Sequence, residues 1–309
     1  MANELNQMQK NLLREIAGLE EIPTDAYNLR SNGKLAGRHT TANIDIVTKT
    51  DKPGIDIIIK PGTKNERVDI PVILSETGLN DLVYNDFYVG EGADVTIVAG
   101  CGIHNDGGEK SEHDGIHSFH IAKNAKVLYI EKHYGEGAGT GERILNPTTE
   151  VEIAEGGYMD METAQIGGVD STYRTTRAKL GDRATLVIHE KILTHGHQVA
   201  ETHFVVDLDG EDSGTHVVSR SVAKEDSHQC FLSCIDGNNK SNGHTECDAI
   251  IMDRGTVSAI PKINANHVDA SLIHEAAIGK IAGEQLIKLM TLGLTEKEAE
   301  EAIVNGFLK

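Results

Sequence analysis

IAKNAKVLYIEK, residues 121–132, ends one short apolar segment, turns through a polar corner at Asn124 and continues as a β-rich run. Three other stretches have the same form: VGEGADVTIVAG (89–100), IAEGGYMDMETA (153–164) and KLGDRATLVIHE (179–190). Their corner residues follow one another at intervals of 32, 32 and 26 positions: Gly92, Asn124, Gly156 and Asp182. A strand–corner–strand unit that recurs in this way is typical of a solenoid, whose rungs bury their inner faces only by stacking.

The composition supports a β-rich architecture of short strands and frequent turns. The chain has 309 residues, of which 32 are glycine, while aromatic residues make up 4% and tryptophan is absent. We therefore predict a mainly β protein with a parallel β-helix core. A β-sandwich is the alternative architecture for many short strands.

Helical periodicity occurs only near the two ends of the chain. Apolar residues at helical spacing predict an amphipathic helix over 5–19, and a second helical stripe begins at His274. Thr295 and Glu298 have the spacing of a capping box that opens a last helix. These signals predict three segments: an N-terminal helix (1–22), a β-helix core (23–272) and a C-terminal helical segment (273–309). The C-terminal helices either form a docking surface or cap the last rung.

Charge and hydropathy exclude several classes of function. The formal net charge of −19 opposes binding to nucleic acid or to anionic membranes. No window of 18 apolar residues predicts a membrane span, and the N-terminus lacks the apolar region of a signal peptide, so we expect a cytoplasmic protein.

Four cysteines are too few for a disulfide scaffold of this size. Two of them, Cys230 and Cys234, share one face of a predicted strand, and we expect that face to be the core.

GHTECDAIIM, residues 243–252, places a cysteine among potential metal ligands. On a strand, however, Cys247 and its polar neighbours point to opposite faces, so a site that uses Cys247 must recruit partners from elsewhere. The best candidates are His274 and Glu275, where we expect the solenoid to give way to helix. The alternative is a buried Cys247, with Glu275 satisfying the helix N-terminus.

Two other segments invite functional interpretations. The segment 103–120 contains four histidines whose spacing resembles a zinc site: His104, His113, His117 and His120. Glycines and like charges interrupt it, which makes zinc the less favoured interpretation. The segment 135–143 is glycine-rich but lacks the second glycine and the lysine of a Walker A motif, so the chain carries no nucleotide motif of its own.

Several stretches resemble the SufB/SufD family of iron–sulfur cluster assembly scaffolds. They are TECDAIIMDRG (245–255), the closing HEAAIGKIAGEQLIKLMTLGLTEKEAEEAIVNGFLK (274–309), the pair GC (100–101) and IHSFHIAKNAKVLYIEK (116–132). The resemblance covers roughly residues 85–309. It implies a right-handed parallel β-helix and a non-catalytic scaffold that carries a transient iron–sulfur cluster. It also implies terminal helices that dock a SufC-type ABC ATPase, a sulfur donor protein and a second SufB/SufD-like subunit, most simply a homodimer.

The resemblance also implies roles for particular residues. Cys101 matches a cysteine proposed to accept sulfur, and His117 matches a histidine near it. His274 and Glu275 match a pair at the subunit interface where a cluster is thought to assemble, and Cys247 matches the cysteine of the family's Gln-Cys-Asp stretch. Cys247, His274 and Glu275 are therefore the predicted ligands of the cluster and its metal.

One departure from the family's pattern bears on this ligand set. B-type subunits have an essential cysteine just before the glycine of the Asp-x-Gly stretch, and Arg254 occupies that position here. Either Cys247 takes over its role, or the chain behaves like a D-type subunit that relies on histidine.

Two functions from other classes remain open at this point. One is a β-helical carbohydrate-active enzyme, against which the absence of tryptophan counts. The other is a metal-free interaction protein that docks the ATPase.

Overall fold

The computed structural model describes residues 5–309 and shows a parallel β-solenoid of about eight turns with helices toward both ends. The helices are α1 (Gln7–Ala17), α2 (Gly283–Thr291) and α3 (Glu296–Phe307). The strands are β1 (Ala26–Ser31), β2 (Lys34–His39), β3 (Ile44–Thr48), β4 (Gly54–Ile59), β5 (Lys64–Asp69), β6 (Val72–Leu74), β7 (Asn80–Val89), β8 (Asp94–His104), β9 (Ser111–Ile121), β10 (Lys126–Glu136), β11 (Arg143–Leu145), β12 (Thr148–Ile153), β13 (Tyr158–Gln165), β14 (Ser171–Leu180), β15 (Thr185–Thr194), β16 (Val199–Leu208), β17 (Ser213–Ala223), β18 (His228–Gly237), β19 (Ser241–Ile251), β20 (Thr256–Ala265) and β21 (Ala270–Gly279).

Two sheets face each other across the solenoid. The first sheet has the order β2-β1-β5-β8-β10-β13-β15-β17-β19-β21, with β6 beside β1 and β8. The second has the order β20-β18-β16-β14-β11-β9-β7-β4-β3, with β12 between β9 and β14. The rungs pair in parallel, whereas β1–β2 and β3–β4, near the start of the chain, are antiparallel. The predicted β-helix is confirmed, and the β-sandwich alternative is wrong.

Three of the four predicted corners lie where the backbone adopts the left-handed conformation. Gly92, Asn124 and Gly156 have φ values of 65°, 56° and 66°. Glycine and asparagine tolerate this region better than other residues do. The fourth corner is displaced by one residue: Arg183 has the positive φ, and the Asp182 side chain accepts a hydrogen bond from the backbone N–H of Glu211 on the next rung.

Side chains alternate between the interior and the outer face along each rung. In β16, for example, Phe204, Val206 and Leu208 are buried, and the residues between them are partly exposed. The inward-facing residues of successive rungs form one continuous core that includes Phe87, Phe119 and Tyr129. The core therefore extends along the solenoid axis, as expected when each rung depends on its neighbours.

Helix α1 packs on the outer face of the first sheet. Leu12 and Ile16 are fully buried and share a cluster with Val98 on β8. The helix lies so close that a Cβ atom on Gly100 would come within 2.4 Å of the Ile16 carbonyl oxygen. The predicted N-terminal helix is confirmed, although residues 1–4 of that predicted segment lie outside the described residues.

The predicted start of the C-terminal helical segment is wrong. Residues 270–279 form strand β21, which pairs in parallel with β19, and α2 begins only at Gly283. The β-helix therefore continues past the predicted boundary at residue 272. The alanine-rich stretch has good helix propensity, but a ladder of backbone hydrogen bonds to β19 outweighs that local preference.

The last helix folds back along the first sheet and leaves the last rung uncovered. Val304 of α3 and Leu308, the residue just after that helix, pack with Val222 of β17 on the outer face of that sheet. Thr295 caps α3 through the predicted capping box with Glu298. In residues 5–309, no helix is both long enough and apolar enough to cross a bilayer.

Candidate functional site

Strand β19 points Cys247 into the solenoid and its polar neighbours outward, so the prediction that they lie on opposite faces is confirmed. Cys247 is 1% exposed and belongs to the continuous core, together with inward-facing Thr245 on the same strand. Glu246 and Asp248 lie on the outer face, where they are partly exposed. Any partner of the Cys247 thiol must therefore be an inward-facing residue.

His274 is such a residue, and Glu275 is not. His274 pairs with Thr245 across β19 and β21, and its Nδ1 atom lies 2.6 Å from the Thr245 Oγ1 atom on the inner face. Glu275 points outward, where its Oε2 atom lies 3.4 Å from Nε2 of His244. The structure thus places Cys247 and His274 on a common face at the last rung, and Glu275 on the opposite face of the same sheet.

The thiol of Cys247 is protonated in this closed arrangement. Burial, followed by the negative charges of Glu190 and Asp248, raises its pKa to about 12. Because a cysteine ligates metal as a thiolate, Cys247 needs a cation or a change of surroundings to release its proton.

A polar column leads from the middle of the solenoid to Cys247. Parallel register aligns five inward-facing residues on successive strands of the first sheet: Glu131, Thr163, Glu190, Ser219 and Cys247. Glu190 accepts a hydrogen bond of 2.7 Å from the Ser219 hydroxyl. Arg174, from the second sheet, forms ion pairs with both Glu131 and Glu190 across the interior.

The second predicted cysteine, Cys101, lies beside this column and between two histidines. Cys101 is buried on β8 and pairs with His133 of β10. His113 of β9 lies on its other side, with its Nδ1 atom 3.1 Å from Oδ2 of Asp81. Asp81 is held in turn by Arg30 at 2.7 Å. The arrangement is a cysteine–histidine–aspartate set, in which the carboxylate orients the imidazole that faces the thiol.

Electrostatics make Cys101 the most acidic thiol of the chain. Burial alone would raise its pKa, but the positive charges of His113 and His133 lower it to about 7. The pKa of His113 is raised to about 10 because the Cys101 thiolate and Asp81 outweigh the effect of burial. The thiolate–imidazolium pair is therefore complete between about pH 7 and about pH 10. Below that window the thiol gains a proton, and above it the imidazole loses one.

His117, predicted to lie near Cys101, has a different partner. Its Nδ1 atom lies 2.7 Å from the Tyr129 hydroxyl, which donates to Glu131 at 3.0 Å. Burial lowers the pKa of His117 to about 4, so the ring is neutral. His117 therefore belongs to the buried network around Glu131, and His113 and His133 flank the thiol.

The remaining cysteines and the histidine segment show no metal-binding geometry. Cys230 and Cys234 share one face of β18, but that face is the outer one, so the expectation that they point into the core is wrong. Among residues 5–309, no group of three or more His, Cys, Asp or Glu side chains is arranged to hold a metal ion. The four histidines of residues 103–120 therefore form no preformed zinc site.

Sequence reasoning missed the residues that surround the two thiols, although some signals were present. Glu131 and His133 occupy inward positions of VLYIEKHYG, where a buried strand would carry apolar residues. His113 was considered only as a zinc ligand. Asp81 and Arg174 gave no signal, because they lie far along the chain and only stacking brings them to the site.

Taken together, these features define a class of protein: a β-solenoid with one thiol of lowered pKa in its interior and a second thiol on the same inner face as a histidine, on the last two strands of the first sheet. Comparison with known proteins identifies the family within that class. The model for the SUF system FeS cluster assembly SufBD core domain matches residues 83–307. The chain therefore belongs to the SufBD family of iron–sulfur cluster assembly proteins.

Relatives from archaea match most of the chain. An iron–sulfur cluster assembly SufBD family protein from Archaeoglobus fulgidus is 30% identical over 84% of this chain and 69% of its own length. A relative from Methanocaldococcus jannaschii with the same description is 30% identical over 82% of this chain and 79% of its own length. Another, from Pyrococcus horikoshii, is 24% identical over 100% of this chain and 96% of its own length. The predicted resemblance to this family is confirmed.

Replacing His113 tests the electrostatic coupling at Cys101. In a His113→Gln variant the thiolate loses the positive charge that lowers its pKa most, so the pKa of Cys101 should rise from about 7 toward its ordinary value of 9.0. Thiolate absorbance in the ultraviolet, followed against pH and compared with a Cys101→Ser variant, measures this change. The other three cysteines do not interfere near neutral pH, because burial raises the pKa of each of them.

His120→Gln is the matched control, since His120 lies on the outer face of the same strand. This variant should titrate like the wild type. An unchanged Cys101 titration in His113→Gln would contradict the proposed pairing.

Proposed function

We propose that this chain is a non-catalytic scaffold on which an iron–sulfur cluster, its cargo, is assembled at the open end of the solenoid between two copies of the chain. The observation that supports this proposal is the shared inner face of Cys247 and His274 on the last two strands of the first sheet. Thiolate sulfur is the usual ligand of iron–sulfur clusters, and histidine can replace it.

The free edge of the last rung supports the pairing of two copies. Strands β20 and β21 end their sheets, so one side of each has no strand partner in residues 5–309. The inner-face residue Ile263, on β20, is 38% exposed because no further rung covers it. Exposed edges of this kind pair readily with another chain. Two copies that meet here would bring two Cys247–His274 pairs together.

Incomplete ligation suits a scaffold, which must release what it holds. One chain offers a single thiol and a single imidazole at this end, fewer than the four ligands of a permanent cluster site. The closed state also keeps the Cys247 thiol protonated, with a pKa of about 12. A movement that opens the last rung would admit iron and sulfide and allow the thiol to ionise.

Arg254, at the position of the family's essential cysteine, takes no part in this site. Its guanidinium pairs with Asp226 at 2.6 Å on the surface, and its side chain is 77% exposed. Cys247 is therefore the thiol that we assign to the cluster.

We propose that an ABC ATPase of the SufC type binds α2 and supplies the energy for the movement that opens the last rung. No residue of α2 is buried, and Ile287 and Met290 on that helix are exposed, as is Leu292 just beyond it. Exposed apolar side chains on a helix that buries none of its residues are typical of a groove-bound contact with a partner protein. Because α3 is anchored to β17, a pull on α2 would be transmitted to the end of the solenoid that holds Cys247.

We assign sulfur uptake to Cys101, with a separate protein as the sulfur donor. A thiolate that forms near neutral pH can attack the outer sulfur of the donor's persulfide, which breaks the donor's S–S bond, leaves the persulfide on Cys101 and releases the donor's thiolate. His113 and His133 supply that ionisation, and His117 stabilises the buried network beside it.

Cluster loading tests the role of Cys247. The chain would be co-expressed with the ABC ATPase under anaerobic conditions, and the bound iron, the bound sulfide and the visible absorbance would be measured. We expect Cys247→Ser and His274→Ala to lower the loading at least about tenfold, the usual scale for residues that bind or orient a metal. Cys230→Ser, on the outer face of the second sheet, should load normally. Normal loading of Cys247→Ser would show that Cys247 is not a ligand. A wild-type chain that binds the ATPase without iron would instead favour a metal-free interaction protein.

Substitution of the exposed apolar residue on α2 tests ATPase docking. A charge at Ile287, which is 62% exposed, should abolish co-purification of the ATPase without unfolding the scaffold. Leu35→Asp is the control, because Leu35 is 54% exposed on β2 near the other end of the chain. Equal capture of the ATPase by Ile287→Asp and by the control would show that α2 is not the docking surface.

A charge at the open end tests the pairing of two copies. We expect light scattering to give about twice the 33.4 kDa chain mass for the wild type and the single-chain mass for Ile263→Asp, because pairing would bury the new carboxylate. Ile58→Asp, on the outer face of β4, should remain paired. A wild-type protein that is monomeric at all concentrations, alone and with the ATPase, would contradict pairing through this edge.

A further inference from the structure

Two histidines stand next to each other on the outer face of the sheet whose inner face carries Cys247. His216 of β17 and His244 of β19 are direct partners in the parallel register. Their rings are stacked, with centroids 4.9 Å apart and an angle of 5° between the planes. Stacking of two such rings in adjacent strands places their nitrogen atoms on the same side of the sheet.

Each ring has a nitrogen atom that lacks a hydrogen-bond partner. The Nε2 atoms of His216 and His244 are buried from solvent and make no hydrogen bond. A buried polar atom without a partner costs free energy, so this arrangement calls for a ligand or an ion. The proposed function does not use either nitrogen.

A carboxylate completes the set from the next strand. Oε2 of Glu275 lies 3.4 Å from Nε2 of His244, close but not aligned as a hydrogen bond. The Glu275 side chain is 66% exposed and is therefore free to change its conformation. A cavity of about 690 Å³ reaches His216 along the same face and is also lined by His189, Glu246, Lys191 and Arg220. An ion would thus have a route to His216.

We propose that His216, His244 and Glu275 bind a divalent first-row metal ion, of the class of Fe²⁺, on the outer face of the first sheet. Two imidazoles and one carboxylate form a ligand set that suits such ions and leaves coordination positions for water. The three side chains do not yet converge on one point, so binding requires rotation of the histidine rings and of Glu275. This site is separate from the pocket of Cys247 and His274, because alternation along β19 and β21 directs the two sets to opposite faces.

Titration of the purified chain with Co²⁺ tests the site without any cluster assembly. Calorimetry would give the affinity, and the visible spectrum would report the ligands, since thiolate ligation adds intense charge-transfer bands that nitrogen and oxygen ligands lack. We expect one ion per chain and a spectrum without thiolate bands. His216→Ala and His244→Ala should each weaken the affinity about tenfold or more, and Glu275→Gln should weaken it as well.

Two control variants separate this site from the rest of the molecule. His203→Ala removes an outer-face histidine of the second sheet, and Cys247→Ser removes the inner thiol. Both should bind Co²⁺ like the wild type. Thiolate bands, loss of binding in Cys247→Ser, unchanged affinity in His216→Ala and His244→Ala, or no binding by the wild type would each overturn the proposal. Because no ATPase, sulfide or second copy is needed, these outcomes are distinct from failure of the proposed scaffold function.

Discussion

Each rung of the solenoid hydrogen-bonds to the rung before it in parallel and in register, and this pairing determines the direction of every side chain. A strand that pairs over ten or eleven positions, as β17 does with β19, cannot shift by one residue without exchanging its two faces. The chemistry of the molecule depends on this constraint. Cys247 and Ser219 point into the interior because of it, and His216 and His244 point out.

Stacking also decides which residues meet in the interior. In each turn, the two sheets face each other across a narrow space, so Arg174 of the second sheet reaches Glu131 and Glu190 of the first. Buried charges are unfavourable unless they are paired, and removing one partner typically costs about 3–5 kcal/mol. If the interior served only to hold the rungs together, apolar residues would stabilise it more than buried ion pairs do. The polar column between Cys101 and Cys247 is therefore consistent with a functional interior.

The two thiols differ because their surroundings differ, although both are buried. Imidazolium rings flank Cys101 and lower its pKa to about 7, whereas burial, followed by the negative charges of Glu190 and Asp248, raises the pKa of Cys247 to about 12. In this structure the Cys101 thiol ionises near neutral pH, whereas the Cys247 thiol stays protonated. The ligand role that we propose for Cys247 therefore requires a change in its surroundings.

The sequence by itself determined the repeating unit, the corners at Gly92, Asn124 and Gly156, the first and last helices and the placement of Cys247 and its polar neighbours on opposite faces of a strand, because these depend on local periodicity and on turn chemistry. It could not determine that residues 270–279 form a strand, because helix propensity favours the opposite and only the edge of β19 outweighs it. Nor could it show that Glu275 points to the outer face while His274 points to the inner face, or that His113 and Asp81 lie beside Cys101. Those relations join residues that are distant along the chain, and only the stacking of complete rungs brings them together.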